Sequence, residues 1–202
     1  MKEVKLSSAN RASVLQEALE VIRGGGVVVY PTETSYGLGA DFYNARVVDK
    51  IYNIKNRARK FPLPVLVSDL VYATSLVDFS ESARRMAGKY WPGPLTLVLP
   101  FKYCKWQEHC DDFLALRVSS HPFAKDLVTI LGSPLVSTSA NIASTGDSYS
   151  ASDIKKQFAK SAIQPDLFIN AGTLPKNPPS TIIKFFNNQM EVLRQGKLKI
   201  QK

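Results

Sequence analysis

Two cysteines, two histidines and two tryptophans among 202 residues leave little material for several kinds of chemistry. So few thiols make no disulfide framework, which fits a reducing compartment. Cys104, His109 and Cys110 lie close in sequence, but a structural zinc needs four soft ligands and no second ligand pair occurs elsewhere, so no metal site is expected. No Cys–His or Ser–His–Asp pattern announces a covalent nucleophile. His121, just before Pro122, is expected to cap or pack a helix start. No apolar run approaches the roughly 20 residues that cross a bilayer, and the start MKEVKLSSAN lacks the apolar core of a secretory signal. A soluble, cytoplasmic protein without membrane association is expected. Nucleotide motifs are missing too: there is no G-x-x-x-x-G-K-[ST], and the GLG at 37–39 lacks the third glycine of a dinucleotide fingerprint. The GGG at 24–26 runs from helix into strand, whereas a phosphate cradle runs from strand into a helix N-terminus, so it is read as a helix stop and turn.

Acidic residues are also in deficit. Lysine and arginine number 26 against 17 aspartate and glutamate, a formal charge of +9 that attracts polyanions: nucleotide, pyrophosphate or RNA. The basic residues are spread along the chain, densest in KNRARK at 55–60, at Arg84 and Arg85 and in the tail GKLKIQK. Most are expected to be solvated surface, with a minority lining a functional groove.

With 45% hydrophobic residues, the chain can bury a sizeable core. Val14, Leu15, Ala18, Leu19 and Ile22 recur at helical spacing, with Asn10 or Ser8 as candidate cap and Gly24 as stop. The β-branched run at 27–30 predicts a buried strand, and 45–55 predicts an amphipathic helix ending in Lys55. Further strands are expected at 64–68, 95–100, 114–118, 134–139, 167–170, 181–185 and 190–194, and helices at 80–89, 122–131 and 151–160. This alternation predicts one α/β domain with a mixed sheet. Hydroxyl, amide and cationic groups cluster at the predicted strand ends, where open α/β sheets bind ligands.

These clusters fall in a recognisable series: P-T-E-T-S-Y-G-L-G from Pro31, K-N-R at 55–57 with Pro62-Leu63 following, W-P-G-P-L-T from Trp91, L-R-V-x-x-H-P from Leu116, S-T-S-A-N from Ser137, P-S-T-I-I from Pro179 and L-R-x-G from Leu193. In this order and spacing the chain resembles the YrdC-like threonylcarbamoyl-AMP synthase family from about residue 10 to 196. The resemblance implies a single YrdC-like domain over 1–202, a twisted mixed sheet with flanking helices and a concave basic pocket, without the second C-terminal domain of larger members. It implies formation of threonylcarbamoyl-AMP and pyrophosphate from L-threonine, bicarbonate and ATP, with Mg²⁺. The tRNA threonylcarbamoyltransferase complex proteins then modify tRNA beside the anticodon, and the basic surface is a candidate contact with tRNA.

Carried over by motif, Lys55 and Arg57 act on phosphate and carbamate charge, and Ser139 and Asn141 orient ATP. Thr34 and Arg117 contact threonine, Ser137 helps through its backbone, and Ser180 and Arg194 close the pocket around threonine and nucleotide respectively. Tyr36, Gly37 and Gly39 are read as structural. The chain departs from the family at Ala58 (proline in many members), Phe61 (asparagine), Leu66 (histidine), Phe113 (threonine) and Lys184 (aspartate), the last read as surface. Two other readings stay open: an RNA- or nucleotide-binding protein without synthase activity, and a related carbamoyl-adenylate enzyme with a different acceptor.

Overall fold

The computed structural model describes residues 1–59, 62–102, 112–159, 161–187 and 189–200. In chain order the elements are β1 (Lys2–Lys5), α1 (Arg11–Arg23), β2 (Val28–Pro31), β3 (Tyr36–Asp41), α2 (Ala45–Lys55), β4 (Val65–Leu66), α3 (Leu70–Leu76) and α4 (Glu81–Tyr90). There follow β5 (Leu95–Pro100), β6 (Phe113–Arg117), α5 (Pro122–Leu131), β7 (Leu135–Ser139), α6 (Ala151–Phe158), β8 (Leu167–Asn170), β9 (Thr181–Phe186) and β10 (Gln189–Arg194). The strands form one ten-stranded sheet in the order β1-β8-β2-β3-β7-β4-β6-β5-β9-β10. Pairing is mixed: β2 is parallel to β8 and antiparallel to β3, and β5 is antiparallel to β6 and parallel to β9. No described helix is long and apolar enough to cross a membrane.

Local chemistry sets the helix limits. Side chains of Asn44, Asp69, Ser80 and Ser150 accept from backbone N–H groups in the first turns of α2, α3, α4 and α6. Asn10 sits at the N-cap of α1 but makes no cap bond. Its amide instead donates to Lys5 O at 2.8 Å and its oxygen accepts from Ser7, fastening the preceding loop. His121 likewise makes no side-chain cap; Pro122 begins α5 and Gly132, at φ 74°, ends it.

Because side chains alternate across a strand, the central strands present a different environment on each face. Val29, Leu38, Val65, Leu97, Leu116, Val136, Phe168 and Ile183 belong to one continuous cluster that also takes in Val47, Ile51 and Ile54 of α2, Ala83 and Ala87 of α4 and Ile154 and Phe158 of α6. The alternate positions Val28, Tyr30, Leu135, Leu167 and Ile169 pack on the other face against Leu15, Leu19 and Ile22 of α1 and Phe123, Leu127 and Val128 of α5. On that face, α1 and α5 pack over the β8–β2 half. The same-parity residues of β5, β6 and β9 line a cavity instead.

Three elements were not expected from the sequence: β1, α3 and β3. The last is built from the YGLG of the P-T-E-T-S-Y-G-L-G stretch and pairs with β2 through Val29↔Leu38 and Tyr30↔Gly37. A Cβ at residue 39 would meet Cε1 of Tyr30 at 2.7 Å, so the close passage of the two strands requires glycine there. Phe61, Cys104, His109 and Cys110 lie outside the described residues.

Candidate active site

The loop between β2 and β3, residues 32–35, is held by its own hydroxyls. The Thr32 hydroxyl donates to Ser35 O at 2.7 Å, accepts from the Thr34 and Ser35 N–H groups at 3.2 and 3.3 Å, and lies 3.0 Å from the Thr34 hydroxyl. The amide of Asn177 donates to Glu33 O at 2.9 Å. Thr34 therefore reaches the cavity wall on a fixed backbone.

Opposite this loop, Asn56 ends α2 in the left-handed conformation, φ 49°, which asparagine tolerates better than most residues. The Lys55 amine donates to Ser139 O at 2.6 Å, Asn141 O at 3.0 Å and Asn141 Oδ1 at 2.8 Å. All three of its donors are used. The Ser139 hydroxyl donates to the same Asn141 Oδ1 at 2.7 Å, and Asn141 Nδ2 donates to Thr145 O at 2.6 Å. Lys55 is 2% exposed. Burial, with the Arg57 charge nearby, lowers its pKa to about 8, while Asp147 acts in the opposite direction. Arg57 lines the cavity and donates to Pro62 O at 3.2 Å.

Strands β5, β6 and β9 supply the floor. Cross-strand register brings Val98 opposite Ala115 and Lys184, and Thr96 opposite Ile182. At one end Thr96 and Ser180 hydroxyls meet at 2.8 Å, and Arg194 donates to Ser180 O and Oγ at 3.0–3.1 Å. Burial lowers the pKa of Arg194. Arg117, 8% exposed, lines the same end. The Ser137 N–H donates to Pro64 O at 2.8 Å, so its backbone is committed to the sheet; its hydroxyl accepts from Tyr30 at 2.6 Å. Burial raises the pKa of that phenol.

The cavity measures about 490 Å³, within the range of small-molecule sites. Thr34, Arg57, Arg117, Ser137, Ser139, Ser180 and Arg194 line it; Lys55 and Asn141 are buried against Ser139 instead. Lys184 is a correction to the surface reading. It shares the strand parity of Ser180 and Ile182, lines the cavity, and holds its amine 3.8 Å from the centre of the Phe113 ring. Leu66 also lines the wall. Sequence reasoning missed Asp147, a carboxylate at the wall, and Thr96, whose polarity at a core-parity strand position was the available signal. Among the described residues no group of three or more His, Cys, Asp and Glu is placed to hold a metal ion.

A family model, Sua5_yciO_yrdC, described as telomere recombination, matches residues 20–196. A protein of Methanocaldococcus jannaschii, provisionally named a threonylcarbamoyl-AMP synthase, is 31% identical over all of this chain and 95% of its own length. A threonylcarbamoyl-AMP synthase of Nitrosococcus oceani is 36% identical over 71% of this chain and 80% of its own. The crystal structure of P. abyssi Sua5 complexed with L-threonine superposes with a TM-score of 0.85 at 28% identity, covering 96% of this chain; the present chain spans 57% of the P. abyssi one. On the strength of the match over most of its length, the chain belongs to the Sua5/YciO/YrdC family.

Proposed function

We propose that the chain is an L-threonylcarbamoyladenylate synthase, which joins L-threonine, bicarbonate and ATP into threonylcarbamoyl-AMP with release of pyrophosphate and water. One observation carries the reading: a single cavity collects the cations Arg57, Arg117 and Arg194 with the hydroxyls of Thr34, Ser139 and Ser180 from distant parts of the chain. Relatives covering most of this chain bear the synthase name, and the P. abyssi protein binds L-threonine.

The chemistry asks for this kind of site. Threonine's amine and bicarbonate form a carbamate, whose oxygen attacks the α-phosphorus of ATP as the bond to pyrophosphate breaks. Negative charge grows on the phosphoryl oxygens and leaving group, so fixed cations and N–H or O–H donors lower the barrier, and no side-chain nucleophile is required. In this reading Arg117 receives the threonine carboxylate beside Thr34, since a guanidinium fork matches a carboxylate. Ser180 and Arg194 close that end, with Arg194 reaching the nucleotide, and Ser137 supports the threonine side. Arg57 and Ser139 face the triphosphate. Lys55 acts through the turn it builds, because its amine already serves Ser139 and Asn141. Mg²⁺ commonly binds through one or two carboxylates plus phosphate oxygens, so Asp147 fits as its protein ligand; bound with ATP it would neutralise phosphate charge. The product would supply proteins that threonylcarbamoylate tRNA.

Pyrophosphate release by the purified protein tests this. Release should require ATP, bicarbonate and threonine together and should vanish in Lys55→Ala. Release indifferent to threonine would refute the assigned acceptor, and no nucleotide consumption at all would refute the synthase reading.

A further inference from the structure

The carboxylate of Glu33 has no place in the scheme above, yet it is one of the more confined charges of the molecule. Its side chain is 12% exposed and that of Arg117 is 10% exposed. Oε1 lies 3.4 Å from Nη1 of Arg117 and makes no hydrogen bond; Oε2 accepts one from the buried Ser119 hydroxyl. Burying a carboxylate is costly unless a partner compensates it. Glu33 does not line the cavity, whereas Arg117 does. The carboxylate is therefore paired with a guanidinium that lines the cavity without lining it itself.

We infer that Glu33 is a positioning residue for Arg117. The pairing distance matters. At 3.4 Å the carboxylate orients the guanidinium by charge without capturing its donors in short bonds. A guanidinium has five N–H donors in a rigid fork, so those turned away from Glu33 stay available for a carboxylate in the cavity. Glu33 is itself held at both ends: Ser119 fixes Oε2, and Asn177, which also accepts from Lys197 at 3.1 Å, fixes its backbone carbonyl. The 32–35 loop thus aims a cation supplied by β6. That the cavity ligand is an amino-acid carboxylate rests on the proposed reaction; the aiming of Arg117 does not.

Two measurements separate these. In ¹⁵N-labelled protein, with the Arg117 signal assigned by its loss in Arg117→Lys, the wild-type guanidinium should show restricted rotation and distinct Nη protons. Glu33→Ala should average them, and so should Glu33→Gln, which keeps the side-chain shape and removes the charge that orients the guanidinium. In pyrophosphate release, wild-type protein should prefer L-threonine over L-threoninamide by about tenfold or more, as expected for a charged hydrogen bond. Glu33→Ala should bring that ratio toward unity while leaving the KM for ATP within about twofold, which mere loss of stability would not do. Ser119→Ala, which frees Oε2 and removes the acceptor of the His121 N–H, should lower the ratio less and serves if Glu33→Ala does not fold. Restricted rotation and an unchanged ratio in both alanine variants would overturn the inference. Threonine-independent behaviour of the wild type would count against the reaction, and the guanidinium spectra would still decide the contact.

Discussion

Two halves of one sheet face carry the same strand periodicity and opposite chemistry. Over β8 and β2 the inward positions are Val28, Tyr30, Leu167 and Ile169, sealed by α1 and α5. Over β5, β6 and β9 the equivalent positions are Thr96, Arg117, Ser180 and Lys184, interleaved with Val98, Ala115 and Ile182, and they line a cavity. The opposite face of all these strands is apolar, with Leu97, Leu116, Ile183 and Phe168 in one core. Polar residues at core parity, backed by an apolar face, therefore mark the half of the sheet face that lines a cavity rather than packing under a helix.

Breaking the sealed half should cost stability and spare chemistry. Phe123, 2% exposed in α5, is the plainest choice: Phe123→Ala should lower the unfolding free energy by about 3–5 kcal/mol in denaturant titration, with the KM for threonine unchanged below the new melting point. Breaking the open half should do the reverse. Arg57→Ala should reduce pyrophosphate release by about a hundredfold or more, as loss of a charge-stabilising group does, with little change in melting temperature. The seam between the halves is next in size. Gly39→Ala would push a methyl group into the Tyr30 ring, 2.7 Å from the ideal Cβ, and should cost about 1–3 kcal/mol while also disturbing Ser137 through the Tyr30 hydroxyl.

A pH titration sharpens the comparison further. The folded-state pKa of Lys55, about 8, lies below its ordinary 10.5, so between these values the unfolded chain binds the proton more tightly. This group's contribution to stability accordingly rises with pH across that window. Activity should fall over the same range, because the neutral amine keeps only two donors for its three acceptors. A basic limb near pH 8 in kcat/KM that moves upward in Lys55→Arg would check this. The smallest effect is expected from Thr96→Val, which deletes one hydroxyl partner of Ser180: less than about 1.5 kcal/mol in stability and a few-fold in threonine KM.

Much of this was legible in the sequence because burial writes itself as periodicity. The face of α1 and the strands near 95–100, 167–170 and 181–185 are apolar runs bounded by breakers, and all are found within a residue or two of expectation. The strands that escaped carry no such signal. In β1, KEVK, every side chain is at least partly exposed, and β3, YGLGAD, spends two of its six positions on glycine, one of which, Gly39, the close packing of Tyr30 demands. Helix α3 is only seven residues long. For the site, order and spacing of short motifs pointed to the lining residues, but no motif could tell which of them face the cavity. Lys55 shows the difference: the sequence offered a free cation, and folding turned it inward onto Ser139 and Asn141. Glu33 was passed over because a carboxylate in a turn ordinarily faces water; only its contact with Arg117 and Ser119, far along the chain, gives it meaning.

The proposed reaction places the meeting point of threonine and nucleotide over the open half of the sheet face. A crystal grown with L-threonine and a non-hydrolysable ATP analogue tests it most directly. The account predicts both ligands above β5, β6 and β9, the threonine carboxylate on Arg117 and the triphosphate beside Arg57 and Ser139. Ligand bound elsewhere, with this cavity holding only solvent, would contradict it.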